Sequence, residues 1–380
     1  MHVKRIALTD FRNYQNESLS LFTSANLLVG GNGQGKTNLA EAIAYFSTLG
    51  SHRVSQDSAL IRTGQSSATV RMLVAYRERE MTLEVELNRS GINRAQINGN
   101  PAKSRELPRW FRSVVFAPED LAIVRGEPAG RRRFINELLI QLSPRLSGVI
   151  ADYERVLRQR NTLLKSARTT ARTGQLSTLE IWDERLVGLG SEIIESRAAV
   201  LERLRPHLDS GYRSIVGNDH HPRLRSSLSI DGADDEAGRD APAGEGPVPE
   251  RFREALARAR AQELERGLSL IGPHRDDVFF GLNDLPVRGY ASHGESWSFA
   301  LALRLGAAQL LRENSPSGDP VVILDDVFAE LDENRRSRLA GAVGDFEQVL
   351  ITAAVLDDVP AELTHHVVHI HGGRVGEAIP

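Results

Sequence analysis

The segment from Gly30 to Thr37 constrains the fold of this chain more than any other feature, because it fits the pattern G-x-x-x-x-G-K-[ST]. An apolar run from Ala25 to Val29 precedes it, and apolar residues recur at helical spacing after Thr37. A strand, a glycine-rich turn and a helix in this order form a P-loop, whose backbone N–H groups point at phosphate groups. A glycine-rich turn that fits by chance is the alternative, and the flanking strand and helix argue against it. The sequence therefore predicts a nucleoside triphosphate site.

The P-loop pattern also assigns roles to individual residues. Lys36 is expected to reach the β- and γ-phosphates, and the hydroxyl group of Thr37 is expected to bind Mg²⁺. The predicted phosphate-binding residues are Gly30, Gly31, Asn32, Gly33, Gln34, Gly35, Lys36 and Thr37.

Length and composition limit the remaining possibilities. A chain of 380 residues is long enough for two or more domains. The chain has no cysteine, which excludes disulfides, thiolate metal sites and thiol nucleophiles. The segment Met1 to Leu8 has too few apolar residues for a signal peptide, and no apolar run is long enough to cross a bilayer. These features predict a soluble cytoplasmic protein without a membrane partner.

Basic charge is concentrated between residues 131 and 172, although the formal net charge of the chain is −3. This segment has ten Lys and Arg against three Asp and Glu, an excess of seven. Many of them fall on one side of a helical wheel, opposite apolar residues, which predicts an amphipathic cationic helix. A solvated surface and a surface for the phosphate backbone of DNA both fit this pattern. The candidate DNA contacts are Arg131, Arg132, Arg133, Arg155, Arg158 and Lys165, and Arg168 and Arg172 continue the stripe.

The pattern of strands and helices divides the chain into three parts. Residues 1–117 and 271–380 alternate strand and helix patterns, whereas residues 118–270 are mainly helical and read as an insertion. Within the insertion, residues 231–249 are rich in Gly, Ala, Asp, Glu and Pro, which predicts a mobile acidic loop. The segments expected to be regular are strands at 70–76 and 81–87, a turn at 96–101, and helices within 131–166, 180–208 and 250–268.

A second element of nucleotide chemistry lies near the end of the chain. Residues 319–326 form an apolar strand that ends in Asp325 and Asp326, the form of a Walker B element. Asp325 is expected to hold Mg²⁺, and Asp326 to orient or deprotonate an attacking water. An Asp-Asp pair at a strand end also suits a turn with a helix cap, but a P-loop in the same chain favours the catalytic interpretation. The predicted catalytic residues are Lys36, Asp325 and Asp326.

Four further segments follow the order found in ABC-type ATPase heads. Residues 292–295 resemble the S-G-G-Q signature, whose Ser292 and Gly294 equivalents contact ATP bound to a second subunit. An ordinary helix N-cap with a first-turn Glu explains the same four residues. Residues 329–332 resemble the D-loop, and residues 349–352 the strand before a switch residue. Residues 114–120 stand where a Q-loop joins the head to an inserted arm.

Together these motifs resemble the RecF family of bacterial recombination and gap-repair ATPases, and they span nearly the whole chain. The resemblance implies an α/β fold, an ABC-type P-loop ATPase head with an inserted, mainly helical arm domain. It implies an ATP-dependent homodimer that binds single-stranded and double-stranded DNA at their junctions, with RecR and RecO type mediators as partners. Loading of recombinase on gapped DNA, replication restart and SOS induction would follow. The matching segments are 11–14, 31–43, 51–53, 116–121, 158–161, 272–277 and 324–332.

The departures from the ABC pattern predict slow hydrolysis. Asp326 replaces the usual Glu, His293 replaces a signature Gly, and no histidine follows the last core strand at 352–354. A weak, DNA-stimulated ATPase used as a switch is therefore expected. An ABC transporter motor subunit is an alternative, opposed by the long basic insertion. An SMC-type ATPase is another, but it would need hundreds of heptad residues that this chain lacks.

Overall fold

The computed structural model describes residues 1–376 except 52, 55, 170–173, 219, 233–243 and 316–317, and for 168–169 and 174–177 the backbone alone. Within these residues the chain forms two compact units. The first unit comprises Met1–Leu121, Pro206–Asp219 and His293–Pro380. The second unit comprises Ala122–Arg205 and His220–Ser292.

Strands and helices alternate along the first unit, whereas the elements of the second unit are mainly helical. The strands are β1 His2–Phe11, β2 Tyr14–Ser20, β3 Ser24–Val29, β4 Ser67–Tyr76, β5 Arg79–Asn88, β6 Arg94–Ile97, β7 Asn100–Ala102, β8 Ser113–Phe116, β9 Arg223–Ser227, β10 Asp277–Leu282, β11 Leu285–Pro286, β12 Val321–Asp325, β13 Gln348–Ala353, β14 Val367–His371 and β15 Arg374–Val375. The helices are α1 Lys36–Thr48, α2 Leu121–Arg125, α3 Pro128–Leu142, α4 Leu146–Thr169, α5 Gly174–Val216, α6 Val248–Arg266, α7 Val287–Tyr290, α8 His293–Glu313 and α9 Glu333–Val343.

A mainly parallel sheet forms the centre of the first unit, in the order β15-β14-β3-β13-β12-β8. Strands β14, β3, β13, β12 and β8 are parallel, and β12 and β13 are buried along their whole length. Such continuous apolar strands are typical of parallel sheets covered on both faces. Helix α1 contacts β8, β12 and β13. Because β3, β13 and β12 run in the same direction, their carboxyl ends meet at one edge of the sheet.

An antiparallel sheet in the order β2-β1-β4-β5-β6-β7 completes the first unit. Burial alternates along most of β4 and, apart from a register shift near Val3, follows one face of β1, and this face packs into the core that includes residues of α1. The predicted strands at 70–76 and 81–87 are confirmed as the paired strands β4 and β5. The predicted turn at 96–101 was too long, because only residues 98 and 99 turn between the paired strands β6 and β7.

The second unit is mainly helical, with a short sheet in the order β11-β10-β9. Its core includes Tyr153 of α4, Leu186 and Ile194 of α5 and Phe252 of α6. The helix predicted within 131–166 is divided into α3 and α4, because Pro144 lies in the break and its ring cannot continue a helix. The predicted helices within 180–208 and 250–268 correspond to α5 and α6.

The segment from Gly272 to Asp277, one of those that carry the family resemblance, makes contacts with several parts of the second unit. Asp276 accepts hydrogen bonds from the backbone N–H of Ser229 at 2.8 Å and from its hydroxyl at 2.9 Å. His274 Nδ1 lies 2.7 Å from the hydroxyl of Tyr153. A side chain at Gly272, where φ is +128°, would lie 2.5 Å from the same hydroxyl. The segment therefore has a structural role, since its backbone and side chains fix neighbouring elements.

The two units do not coincide with the three parts expected from the sequence. Residues 206–219 group with the first unit, and residues 271–292 group with the second. In the predicted mobile loop at 231–249, residues 233–243 lie outside the described part of the chain, and helix α6 already begins at Val248. Among the described residues, no helix is both long enough and apolar enough to cross a membrane.

Candidate nucleotide-binding site

The P-loop connects β3 to α1, and two of its glycines have the backbone geometry that the turn requires. Gly33 and Gly35 have φ values of +77° and +122°, which favour glycine. A Cβ atom at Gly35 would lie 2.9 Å from the hydroxyl of Tyr14. At Gly30 a Cβ atom would lie only 2.2 Å from the carbonyl oxygen of Ile370. Gly30 and Gly35 therefore allow neighbouring groups to approach the loop closely.

Residues distant in sequence fix the position of the P-loop. The hydroxyl of Tyr14 donates to the carbonyl of Gly35 at 3.0 Å, and the side-chain amide of Asn13 donates to the carbonyl of Gln34 at 2.9 Å. Between β14 and β15, the N–H of Gly373 also donates to the Gln34 carbonyl, at 2.9 Å. The N–H of Gly372 donates to the Gln34 side chain at 2.6 Å. The loop is thus held between the β1–β2 turn and the β14–β15 turn.

The buried ammonium group of Lys36 is held inside the loop. It donates to the carbonyl of Gly30 at 2.8 Å and to that of Gly31 at 3.2 Å. Lys36 is the first residue of α1, so its charge lies at the positive end of the helix. A cation and a helix N-terminus at the same point favour a negatively charged ligand.

The carboxyl end of β12 meets the P-loop at Asp325. The hydroxyl of Thr37 donates to Oδ1 of Asp325 at 2.9 Å, and the hydroxyl of Thr352 donates to the same atom at 2.6 Å. The three residues come from α1, β12 and β13, whose ends meet because the central strands are parallel. The arrangement brings together the two residues that the sequence predicted as ligands of Mg²⁺.

Asp326 follows Asp325 in a left-handed backbone conformation, with φ at +51°. Its N–H group donates to the Thr352 hydroxyl at 3.0 Å and to the Thr352 carbonyl at 3.2 Å. Burial raises the pKa of the Asp326 carboxyl, Lys36 opposes this change, and Asp325 and Glu119 add to it. A carboxyl group with a raised pKa is better suited to accept a proton from water than an ordinary aspartate.

The segment predicted as a Q-loop is anchored by a buried ion pair. Both oxygens of Asp120 accept from the guanidinium group of Arg304 in α8, at 2.6 and 3.0 Å. Oδ2 of Asp120 also accepts from the N–H of Ala117 at 3.0 Å. The neighbouring Glu119 is exposed and influences Asp326 electrostatically.

The signature-like residues lie at the start of α8. Ser292 is exposed and directly precedes the helix, and the hydroxyl of Ser298 donates to the carbonyl of Gly294 at 2.9 Å. In the D-loop, Asp332 is the N-cap of α9 and accepts from the N–H of Arg335 at 2.9 Å. Gly294 lies against the guanidinium group of Arg335.

Three of the predicted DNA contacts are exposed on α4 in the second unit. The side chains of Arg155 and Arg158 are 68% and 69% exposed, and Lys165 is also exposed. Asp152 and Glu154 lie 2.9 Å and 3.9 Å from Arg155 and Arg158, respectively. Arg172 and the side chain of Arg168 lie outside the described part of the chain.

Arg131 was predicted as a DNA contact, but its side chain is only 5% exposed. Its guanidinium group pairs with both oxygens of Asp277, at 2.7 and 2.8 Å, and donates to the carbonyl of Gly126 at 2.9 Å. Arg132 is half-buried and donates to the carbonyl of Asp276 at 2.7 Å. Arg133 is exposed and pairs with Glu137 at 2.8 Å. Charge in this part of α3 mainly holds the second unit together.

The sequence alone missed Thr352, Asn13, Tyr14 and the Gly372–Gly373 turn as parts of the site. The sequence marks Thr352 only as a position without the switch histidine. Its place at the end of a buried strand next to the Walker B strand was a signal that could have found it. The glycine pair between two short strands was a weaker signal, because it is equally typical of an ordinary hairpin.

Comparisons with known proteins identify the family of the chain. Residues 2–370 match the family described as RecF/RecN/SMC N terminal domain. The DNA replication and repair protein RecF of Clavibacter michiganensis subsp. michiganensis is 57% identical, with 100% of this chain and 96% of that protein covered. RecF of Leifsonia xyli subsp. xyli is 58% identical, with 99% and 100% covered.

Solved structures give the same result. The structure of the recombination mediator protein RecF-ATP in the RecFOR pathway has a TM-score of 0.87 and 28% identity, covering 100% of this chain and 98% of that one. An SmcHead bound to the C-winged helix domain of ScpA, at 14% identity, has a TM-score of 0.55, with 100% and 98% covered, and shares the fold. The expected fold class is confirmed, and the chain belongs to the RecF family of DNA replication and repair proteins.

Proposed function

We propose that this chain is an ATP-dependent DNA-binding clamp of the RecF type. The observation that carries the proposal is the hydrogen bond between Thr37 and Asp325, which brings the P-loop and the Walker B carboxylate together. A solved RecF, similar along the whole chain, is described with ATP, which supports ATP as the nucleotide.

Mg²⁺ fits the residues present at this junction. The hydroxyl of Thr37 and the carboxylate of Asp325 are hard oxygen ligands, and their oxygens lie 2.9 Å apart. Mg²⁺ is usually bound in proteins by one or two such groups together with waters and substrate phosphates. When bound, the ion supplies neutralisation of the charge that develops on the phosphates. Thr37 and Asp325 would hold it, and Lys36 would bind the phosphate oxygens.

Hydrolysis is expected to reset the clamp slowly. Asp326 is the proposed base, and its raised pKa favours proton transfer from water. The side chain is one methylene shorter than the usual Glu, so its reach to a water is shorter. ATP would favour a closed homodimer because only that state supplies both the P-loop contacts and the signature contacts of Ser292 and Gly294. Loss of the γ-phosphate removes that difference in affinity.

The proposed ligands are single-stranded and double-stranded DNA, with RecR and RecO type mediators as protein partners. The exposed stripe of Arg155, Arg158 and Lys165 supports attraction to the phosphate backbone. Recombinase loading on gapped DNA and a part in the SOS response extend the same proposal. A solved RecF assigned to the RecFOR pathway supports the mediator role.

DNA binding is tested by titrating gapped, single-stranded and duplex DNA at two salt concentrations, with and without ATP. The triple variant Arg155→Gln, Arg158→Gln, Lys165→Gln should bind DNA more weakly. The slope of its log affinity against log salt concentration should be reduced by up to about 0.9 for each phosphate that is no longer neutralised. The matched control places Gln at the exposed Lys4, Arg71 and Arg94 of the antiparallel sheet. An equal loss in both triple variants would contradict a specific role of the α4 stripe.

The clamp is tested by sedimentation of the chain with and without ATP. The wild-type chain should change from monomer to dimer, and Lys36→Arg should remain monomeric although it stays folded. A wild-type mass that does not change with ATP would contradict the clamp.

A further inference from the structure

Helix α9 begins directly after the D-loop and carries Arg335 in its first turn. Asp332 contacts Arg335 through both of its carboxylate oxygens. Its Oδ1 accepts the N–H of Arg335 at 2.9 Å, and its Oδ2 lies 3.2 Å from Nη1 of the guanidinium group. The Arg335 side chain is 30% exposed and that of Asp332 is 55% exposed. Because the pair is open to water, the interaction between the two charges is weak and a phosphate could replace the carboxylate.

The guanidinium group of Arg335 lies on Gly294. A Cβ atom at Gly294 would be 3.2 Å from Nη1 and 3.4 Å from Nη2 of Arg335, closer than ordinary van der Waals contact. The glycine therefore leaves room for the cation directly beside the start of α8, a helix of 21 residues. The cation and the helix N-terminus both add positive potential at this point.

Acidic residues are present at the starts of both α8 and α9, where Arg335 lies. Tyr212 of α5 is buried, and burial raises the pKa of its hydroxyl to about 12, with Glu295 raising it further and Arg335 lowering it. Arg335 therefore lies at two helix starts that carry the acidic residues Glu295, Asp332 and Glu333. A cation at this point offsets part of the negative charge that these residues would present to a phosphate near the signature segment.

We propose that Arg335 contacts the γ-phosphate of ATP held by the P-loop of a second copy of this chain. The assignment rests on the proposed ATP-dependent dimer. A guanidinium group binds phosphate oxygens with two parallel hydrogen bonds, and an arginine supplied by a second protein is an established means of stabilising phosphoryl groups. Arg335 would act from the signature side, whereas Lys36 acts from within the P-loop of the chain that holds the nucleotide.

Separate measurements of ATP binding and dimerisation test the assignment. The variants are Arg335→Ala and Arg335→Lys, with Arg338→Ala as a matched control one turn further along α9. Arg338 is also exposed and donates to the carbonyl of Ile215 at 3.3 Å. A fluorescent ATP analogue at low protein concentration reports the affinity of the single chain, and sedimentation with ATP reports the dimer.

Arg335→Ala should weaken the ATP-dependent dimer by about tenfold or more, as expected for loss of a charged hydrogen bond, while the ATP affinity of the single chain stays within about twofold. Arg335→Lys should recover part of the loss, and Arg338→Ala should match the wild type. If Arg335→Ala dimerises as strongly as the wild type, the assignment of Arg335 is wrong, and the proposed clamp is not affected. An equal loss in Arg338→Ala, or a parallel loss of single-chain ATP affinity, also overturns it. A wild-type chain that stays monomeric overturns the clamp and this assignment together.

Discussion

The hydroxyl of Thr37 donates a 2.9 Å hydrogen bond to Oδ1 of Asp325, although the two residues are 288 positions apart in the chain. Asp325→Asn keeps the shape of the side chain but removes the charge that would hold Mg²⁺. We expect magnesium-dependent ATP hydrolysis to fall by about two orders of magnitude, because loss of metal stabilisation costs several kcal/mol. Steady-state phosphate release measures this change.

The control for that measurement is Asp345→Asn, which removes the same charge from an exposed residue of the first unit. It should leave hydrolysis unchanged. Wild-type activity in Asp325→Asn would show that this carboxylate is not part of the magnesium site.

The β14–β15 turn should control ATP binding although it lies at the other end of the chain. At Gly373, φ is +72° and a Cβ atom would lie 2.5 Å from the carbonyl oxygen of Asn13. Gly373→Ala should therefore displace the turn from Gln34, lower the free energy of unfolding by about 1–3 kcal/mol and weaken ATP binding. Calorimetric titration with ATP and urea unfolding measure the two effects.

Gly64→Ala is the matched control, because φ at Gly64 is +88° and no atom lies within 4 Å of its Cβ position. Both variants strain the backbone, but only Gly373→Ala disturbs the P-loop. ATP affinity that falls equally in both variants would refute the proposed role of the turn.

Removal of Arg12 from its ion pair with Glu41 should strongly destabilise the first unit. The guanidinium group of Arg12 donates to both oxygens of the buried Glu41, at 2.7 and 2.8 Å, and Ser51 donates to the same carboxylate. Arg12→Ala leaves a buried carboxylate without its cation, which should lower the free energy of unfolding by about 3–5 kcal/mol. Urea midpoints at constant slope measure the change.

An exposed ion pair supplies the comparison. Arg71 pairs with Glu84 on the antiparallel sheet, and its side chain is largely exposed. Arg71→Ala should cost no more than about 1 kcal/mol. Similar losses in Arg12→Ala and Arg71→Ala would mean that burial of Glu41 adds no penalty when its cation is lost.

Acidification should change the stability of the second unit through two residues: His274 lowers the stability as the pH falls, and Asp276 raises it. Burial lowers the pKa of His274 from 6.5 to about 4, opposed by its hydrogen bond to Ser269. As the pH falls from 6.5 to 4, the unfolded chain takes up this proton first and stability is lost. Burial raises the pKa of Asp276 from 3.8 to about 6, opposed mainly by Ser229. Below pH 6 the folded chain takes up this second proton first, which restores stability.

Removing either group should therefore change the slope of stability against pH between 4 and 6. His274→Gln should reduce the loss of stability as the pH falls, and Asp276→Asn should increase it. Unfolding midpoints compared at several pH values measure both changes. Above pH 7 neither variant should change the slope. Identical slopes in both variants and the wild type would contradict the two shifted pKa values.

The P-loop and the strand that ends in Asp325 could be predicted from the sequence because their signals are local. Glycines at fixed spacing after β3 and the apolar strand β12 ending in Asp325 are both read from short windows of sequence. Their meeting followed from the rule that parallel strands end at one edge of a sheet. The boundaries of helices were less accurate, as the break at Pro144 shows.

The basic segment of α4 shows what cannot be inferred from a short window of sequence. Arg160 belongs to the same charged segment as Arg158, yet it is buried and donates to Asp183 and Glu263 at 2.6 Å each. Its partners are at least 23 positions away in the chain, so a helical wheel could not reveal them. Charge counts identify a cationic segment, but the neighbours of each charge depend on packing.

The sequence by itself predicted the class of ligand and determined the α/β head and the family, because short motifs and strand patterns encode them directly. Only the tertiary structure decided that Thr352 shares the Asp325 carboxylate, that Gly373 supports the P-loop, and that Arg131 is a buried structural residue. These relationships depend on which distant backbone and side-chain groups come within hydrogen-bonding distance. That proximity is a property of the folded chain and leaves no periodic pattern in the sequence.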